Sequence, residues 1–298
     1  MKKLTFIAPP QLLDPLSGAL FEAGAQGLQE GVGALTAYVS SDEEEQDLRS
    51  AAHHFMQTAA SASELEVQCE EVDESWQETW QNALEAVALT ERWVLRPTHQ
   101  LPAPADEDTI WFQPQASFGD GSHPTTQLAA RAVARWVQSC SSRIQGKVRI
   151  LDVGAGNGVL GLVALKEAEL WGVSIERLLA LDIDEVAINS LRQNLELNAL
   201  PADAMEARLG TLVEENTPFH LVVANISTPV LSELAPTLLA NLAPAGTLLL
   251  TGLLIEDEDN LKAHFGDLPV KLSQTQHKGE WSLLSYERSA GPPASRPA

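Results

Sequence analysis

The chain has 298 residues, of which 44% are hydrophobic and 20% are charged, so it is long enough for one large or two modest globular domains. Its net charge of −22, from 41 acidic and 19 basic residues, disfavours free DNA or RNA as a partner because the phosphate backbone would be repelled. The same charge suits a basic protein partner, although it is equally explained by solubility.

The compartment is predicted from what the sequence lacks. No apolar run approaches the roughly 18 residues that a membrane span needs, and the N-terminus has no signal-peptide pattern. Cys69 and Cys140 are far apart without metal-ligand spacing, so we expect two buried, unpaired cysteines in a reducing compartment. His53 and His54 are adjacent on a predicted helix and point to different faces, so no metal site is predicted. We expect a cytoplasmic protein without membrane contact.

Residues 1–72 alternate between strand and helix patterns. Strands are predicted at 4–7, 26–29, 34–39 and 65–72, and helices at 12–23 and 43–58. Ser41 and Asp42 are candidate caps for the second helix. The order β-α-β-β-α-β is that of a ferredoxin-like α+β domain. Because it contains no catalytic motif, we predict that this domain recognises or docks a partner.

Residues 73–90 are predicted to form a helical linker. Ser75 and Glu78 have capping-box spacing, and the helix is expected to run to about residue 88. Trp76 and Trp80 lie one turn apart and are expected to pin the linker to a neighbouring domain. Two extended segments follow, at 92–96 and 109–113. Residues 91–288 are predicted to form the second domain, and the Pro-, Ala- and Ser-rich residues 289–298 a disordered tail.

A glycine-, proline- and hydroxyl-rich loop, S-F-G-D-G-S-H-P-T-T at 117–126, precedes a helix predicted at 128–137. By its residue types alone the loop is explained as an elaborate helix cap. On the same grounds His123 is a hydrogen-bonded loop residue.

A buried strand at 148–153 leads into Gly154, Gly156 and Gly158 and then into a helical pattern. Glycines allow a ligand to approach the backbone, and the N–H groups at a helix start bind polar or anionic groups. A second strand, 178–182, ends in Asp182, whose carboxylate suits the two hydroxyls of a ribose. Val159 stands where a dinucleotide site has its third glycine, which disfavours a nicotinamide cofactor. The pattern resembles the S-adenosylmethionine site of class I methyltransferases, with an ordinary tight turn as the alternative.

The remaining elements continue an α/β pattern. Helices are predicted at 186–197, 229–242 and 257–265, strands at 207–209, 221–224 and 248–251, and a closing antiparallel pair at 270–275 and 282–286. Asn225 follows the strand 221–224, and open α/β sheets place their chemistry just beyond the carboxyl ends of such strands. Its carbonyl oxygen can face a substrate amine, although capping the next helix is a competing role.

Together these stretches resemble the ribosomal protein L11 methyltransferase family (PrmA type). The resemblance covers nearly the whole chain and is carried by F-G-D-G-S-H-P-T-T at 118–126, L-D-V-G-A-G-N-G at 151–158, D-I-D at 182–184 and A-N-I at 224–226. It implies a ferredoxin-like recognition domain, a helical linker and a class I methyltransferase domain with a Rossmann-like, seven-stranded sheet. The sequence departs from the family at Asp120 and Ser122, where threonines are usual.

The resemblance also implies a function and a site. The family uses S-adenosylmethionine to methylate lysine side chains and the N-terminal amine of a basic ribosomal protein of the L11 type. Carried over by position, one set of residues would contact the cofactor and the loop 118–123 would fold over it: Phe118, His123, Thr126, Gly154, Gly156, Gly158, Asp182 and Asn225. Asn225 would also orient the amine, and a monomer is favoured.

Chemistry at such a site needs alignment more than acid–base groups, because the sulfonium is already an activated methyl donor. A lysine amine, with a pKa of about 10.4, must lose its proton to solvent or by desolvation, so no general base is assigned. Two further alternatives remain at this stage. In the first, the chain is an amine methyltransferase of the same fold that acts on another protein or on a small molecule. In the second, it is a docking protein that binds the nucleoside without catalysis.

Overall fold

The computed structural model describes residues 2–25, 28–31, 33–39, 41–58, 65–71, 84–102, 108–114, 121–143, 146–266 and 268–289. The chain forms two compact units, residues 1–84 and 85–298. The division falls within the predicted linker 73–90, but Trp76, Trp80 and residues 290–298 of the predicted tail 289–298 lie outside the described residues. None of the described helices is long and apolar enough to cross a membrane.

The first unit has the predicted β-α-β-β-α-β order. Its elements are β1 (Lys2–Ile7), α1 (Pro10–Glu22), β2 (Leu28–Gly31), β3 (Ala34–Val39), α2 (Asp42–Thr58) and β4 (Glu66–Glu71). The strands pair antiparallel in the order β2-β3-β1-β4. This arrangement confirms the ferredoxin-like fold.

The period-2 pattern of the strands explains the core of this unit. Leu4 and Phe6 of β1 are fully buried, and they pack in one apolar cluster with Leu16 and Leu20 of α1 and with Leu35 of β3. Ser41 caps α2, because its Oγ accepts a hydrogen bond from the Glu44 N–H at 3.1 Å. The unit therefore has a hydrophobic core of its own.

Two sequence-based expectations are wrong. Cys69 is exposed rather than buried, because β4 is an edge strand of the described four-stranded sheet, next to β1. Cys140 is buried, as predicted. The helix predicted to run to about residue 88 does not extend that far, because Val87–Ala88 form a strand that pairs antiparallel with Leu95 and Val94. A β-branched residue that finds a strand partner favours extended backbone over helix.

The second unit contains the remaining elements. A three-stranded sheet consists of β5 (Val87–Ala88), β6 (Val94–Pro97) and β7 (Thr109–Phe112). The main sheet contains β8 (Val148–Val153), β9 (Ile175–Asp182), β10 (Glu206–Leu209), β11 (Phe219–Asn225), β12 (Leu242–Leu254), β13 (Val270–Lys278) and β14 (Trp281–Arg288). The helices are α3 (Pro124–Arg143), α4 (Val159–Trp171), α5 (Glu185–Leu197), α6 (Thr228–Ala240) and α7 (Glu258–Phe265).

The main sheet has seven strands in the order β10-β9-β8-β11-β12-β14-β13, which confirms the predicted class I methyltransferase architecture. The first five are parallel, whereas β14 pairs antiparallel with β12 and with β13. From β8 the chain moves to β9 on one side and later to β11 on the other. The strand order therefore reverses between β8 and β11, where open α/β sheets form a ligand crevice at their carboxyl ends.

The central strands are buried on both faces, which explains their continuous apolar sequences. Leu151, Val222 and Leu248 belong to the apolar cluster that α6 and α7 cover. The alternating neighbours Ile150 and Val223 are buried as well. A core of this kind fixes the ends of β8, β9 and β11 relative to one another, and the site lies at those ends.

Candidate active site

Three strand ends bring the predicted site residues to one edge of the main sheet. Val153, the last residue of β8, lies opposite Leu181 of β9 and Ala224 of β11. The glycine turn follows Val153, Asp182 follows Leu181, and Asn225 follows Ala224. The register of two parallel pairings therefore places all three motifs side by side.

The glycine turn is a tight, internally bonded structure. Gly154, Gly156 and Gly158 have φ values of 71°, 55° and 80°, in the left-handed region that glycine tolerates. The Gly158 N–H donates to the Ala155 carbonyl at 2.9 Å. α4 begins directly after Gly158, which offers no side-chain cap. The turn thus delivers a helix N-terminus to the carboxyl edge of the sheet, as a nucleotide-type ligand requires.

Two of these glycines also make room for the protein's own side chains. A Cβ at Gly154 would lie 2.3 Å from Ile226 Cγ2, and a Cβ at Gly158 would lie 2.6 Å from Leu191 Cγ. Both distances are far inside van der Waals contact. The sequence suggested room for a ligand at these positions, and the structure adds close packing of the turn against the chain after β11 and against α5.

Asp182 is bonded to the turn. Its Oδ2 accepts the Gly156 N–H at 2.7 Å, and its Oδ1 accepts the Asp184 N–H at 3.0 Å. An ionised carboxylate has about four lone-pair sites, so both oxygens can still accept hydrogen bonds from ribose hydroxyls. The neighbouring Asp184 has a separate role, because its Oδ1 accepts the Val186 N–H at 2.8 Å and caps α5.

Asp152 is a candidate site residue that the sequence reasoning missed. It is 1% exposed, and neither carboxylate oxygen has a hydrogen-bond partner among the described residues. Burial, with a smaller contribution from Asp182, raises the pKa of Asp152 to about 7. Its one sequence signal is a carboxylate within the otherwise apolar run of β8. A buried carboxyl group without a donor is costly, and a cationic ligand would remove that cost.

Asn225 and Thr126 meet at the end of β11. The Asn225 Nδ2 lies 3.5 Å from the Thr126 Oγ1, at the outer limit of hydrogen bonding, and Thr126 is buried near the start of α3. Asn225 does not cap the following helix, because the N-cap of α6 is Ser227. With Nδ2 directed at Thr126, the Oδ1 atom is the one suited to accept a hydrogen bond from an amine.

His123 lies at the start of α3. Its Nδ1 is 2.6 Å from the Thr125 Oγ1 and accepts the Thr125 N–H at 3.3 Å, which caps the helix. Its ring packs edge-on against Trp281 of β14, with 4.6 Å between centroids. Phe118 and Asp120 lie outside the described residues. The structure thus joins Gly156 to Asp182 and Thr126 to Asn225, and places His123 against the β13–β14 hairpin.

Comparison with known proteins identifies the family. The profile of the family described as ribosomal protein L11 methyltransferase (PrmA) matches residues 13–289. A ribosomal protein L11 methyltransferase of Sorangium cellulosum is 31% identical over 295 residues, which cover 95% of this chain and 88% of that protein. One of Syntrophotalea carbinolica is 30% identical over 318 residues, covering 97% and 98%.

The fold comparison agrees with the sequence comparisons. The crystal structure of a ribosomal protein L11 methylase from Lactobacillus delbrueckii subsp. bulgaricus superposes with a TM-score of 0.57 at 23% identity, covering 69% of this chain and 99% of that one. At this identity the similarity supports the fold alone. The family profile and the near full-length relatives decide against a nicotinamide dehydrogenase or a purely docking protein. The chain belongs to the ribosomal protein L11 methyltransferase (PrmA) family and is a methyltransferase.

Proposed function

We propose that this protein transfers methyl groups from S-adenosylmethionine to lysine side chains, the N-terminal amine, or both, of ribosomal protein L11. The observation that carries the proposal is the family match over residues 13–289, combined with the position of the glycine turn, Asp182 and Asn225 at one edge of the sheet. L11 is the substrate in the names of the relatives. The net charge of −22 suits a basic partner of this kind, and two cysteines that are not joined in a disulfide suit the cytoplasm.

The residues present fit the cofactor. Asp182 offers acceptor sites for the ribose hydroxyls, and the buried carboxyl group of Asp152 offers an anionic partner for a cationic group. Ile183 directly follows Asp182. Its apolar side chain is 81% exposed and suits packing against the face of the cofactor's base. When bound, S-adenosylmethionine supplies a methyl group activated by its sulfonium. Gly154, Gly156, Gly158, Phe118, His123 and Thr126 complete the proposed cofactor site.

The acceptor side of the site is assigned to Asn225. Its Oδ1 accepts a hydrogen bond from the substrate amine and so aligns the nitrogen lone pair, while Thr126 holds the other end of the amide. The chain after Asn225 packs closely against β12, because a Cβ at Gly252 would lie 2.3 Å from the Ile226 carbonyl oxygen. The amine loses its proton to solvent or by desolvation before transfer.

The proposal is tested by incubating the purified protein with S-adenosylmethionine and L11 and measuring methylation by mass spectrometry. L11 should gain methyl groups faster than an equally basic control protein. Asn225→Ala should lower kcat/KM by roughly 10- to 100-fold through loss of the orienting hydrogen bond. Equal rates with L11 and the control protein would instead support an amine methyltransferase of other specificity.

The pKa of Asp152 predicts how cofactor binding varies with pH. With a pKa of about 7, this group is mostly protonated at pH 6, and a cationic ligand must displace that proton. The affinity for S-adenosylmethionine should therefore fall by roughly tenfold per pH unit as the pH drops below 7. Calorimetry between pH 5.5 and 7.5 measures this slope for the wild type and for Asp152→Asn, which should bind weakly with little pH dependence.

The stability of the free protein gives an independent check on Asp152. Because its pKa is raised in the folded state, the folded protein binds the extra proton, so the free energy of unfolding falls as pH rises from about 4 to about 7. Asp152→Asn should remove this decline. If the affinity for S-adenosylmethionine changes with pH by the same amount in the wild type and in Asp152→Asn, Asp152 does not contact a cationic group of the cofactor.

A further inference from the structure

Two buried asparagines, Asn194 on α5 and Asn198 directly after it, have side chains that bind the backbone of other elements. Asn198 Oδ1 accepts the Trp111 N–H at 2.9 Å, and its Nδ2 donates to the Trp111 carbonyl at 2.7 Å. Trp111 belongs to β7, which pairs on its other side with β6. Asn198 therefore supplies the pair of hydrogen bonds that a neighbouring strand would give.

Asn194, one turn earlier on α5, joins two separate parts of the chain. Its Oδ1 accepts the Gln113 N–H at 2.9 Å, and its Nδ2 donates to the Asn157 carbonyl at 3.0 Å. The side chain is fully buried. Reversing the amide would place oxygen against the Asn157 carbonyl and nitrogen against the Gln113 N–H, so its orientation is fixed.

The Asn157 carbonyl lies in the glycine turn of the proposed cofactor site. Glycines have more accessible backbone conformations than other residues, so hydrogen bonds from side chains outside the turn add to its internal Gly158–Ala155 bond in keeping one shape. Asp182 holds the Gly156 N–H, and Asn194 holds the carbonyl of the following residue, Asn157. That carbonyl shares a peptide plane with the Gly158 N–H, and Gly158 is the N-cap of α4. The orientation of this plane therefore positions the start of the helix.

We propose that Asn194 is a positioning residue that couples the glycine turn to the chain at Gln113 and so forms the cofactor site before the cofactor binds. Preorganisation of this kind raises affinity because the cost of ordering is met during folding. The proposal rests on the cofactor site proposed above. Asn194 itself needs no contact with the cofactor.

The test compares Asn194→Leu with Asn198→Leu. Leucine matches the shape of asparagine, and each substitution leaves two backbone groups without their partners, so the unfolding temperatures should fall by similar amounts. Only Asn194→Leu releases the glycine turn. By calorimetry, its dissociation constant for S-adenosylhomocysteine should rise roughly 5- to 30-fold, whereas Asn198→Leu should change it less than about twofold. At saturating cofactor, kcat of Asn194→Leu should stay within about twofold of the wild type.

The outcomes separate the two proposals. Equal losses of affinity in both variants, or none in Asn194→Leu, would overturn the coupling role while leaving the cofactor site intact. No binding by the wild type would remove the cofactor site and this role together. If Asn194→Leu does not fold, hydrogen exchange of the wild type decides: S-adenosylhomocysteine should slow exchange of the Gln113 amide more than that of the Trp111 amide. An unaffected Gln113 amide would overturn the proposal.

Discussion

Replacing Asp182 with alanine is expected to weaken S-adenosylmethionine binding by about 10- to 100-fold. The substitution removes a carboxylate that is proposed to accept charge-assisted hydrogen bonds from the ribose. It also removes the acceptor of the Gly156 N–H, so the glycine turn loses one of the groups that hold it. Calorimetric titration of the folded variant measures the loss, and a lower unfolding temperature without cofactor should accompany it.

Asp184→Ala is the matched control for this substitution. Asp184 lies two residues further on and caps α5 through the Val186 N–H. Its loss should cost about 1 kcal/mol of stability, as for other N-caps, and leave cofactor affinity nearly unchanged. Unchanged affinity in Asp182→Ala, or equal losses in both variants, would exclude Asp182 from the proposed ribose contact.

Removing the first unit is expected to abolish methylation of intact L11. Every residue proposed to bind the cofactor lies in the second unit, residues 85–298, and the first unit has a separate core and a fold without a catalytic motif. A fragment of residues 85–298 should therefore bind S-adenosylmethionine within a few-fold of the full chain. The first unit is proposed to recognise the protein substrate, so the fragment should lose activity on L11 by orders of magnitude.

A short peptide containing a methylatable lysine provides the control. Because a peptide lacks the surface that the first unit is proposed to bind, the fragment and the full chain should methylate it at similar, slow rates. Full activity of the fragment on L11 would contradict the recognition role. Loss of cofactor binding as well would show that residues 85–298 do not fold independently.

Strong local patterns predicted individual elements well. β3 begins and ends at the predicted residues, and the closing antiparallel pair is present as β13 and β14. α3 starts at Pro124, earlier than predicted, and extends to Arg143. Proline fits the first turn of a helix, and the His123 ring supplies the cap, so a stretch interpreted as loop already belongs to the helix.

The sequence by itself determined the architecture and the family. Continuous apolar strands alternating with amphipathic helices specify a parallel sheet covered on both faces, because each segment can bury its apolar side only in that arrangement. The glycine spacing and Asp182 then pointed to the nucleoside site, since both signals are local. Local signals also sufficed for the ferredoxin-like unit, whose strands and helices follow regular periods.

Only the tertiary structure decided how the site is held. It buried the Asp152 carboxyl group with no hydrogen-bond partner in the part of the chain that the structure describes. It also filled the space at Gly154 with Ile226 and joined Gly156 to Asp182 and Asn157 to Asn194. Each of these contacts connects residues far apart in the sequence. The residues come together only when β8, β9, β11 and α5 pack against one another. Hydrogen bonds and close packing act over a few ångströms, so contacts between residues distant in the sequence leave no local pattern from which they could be predicted.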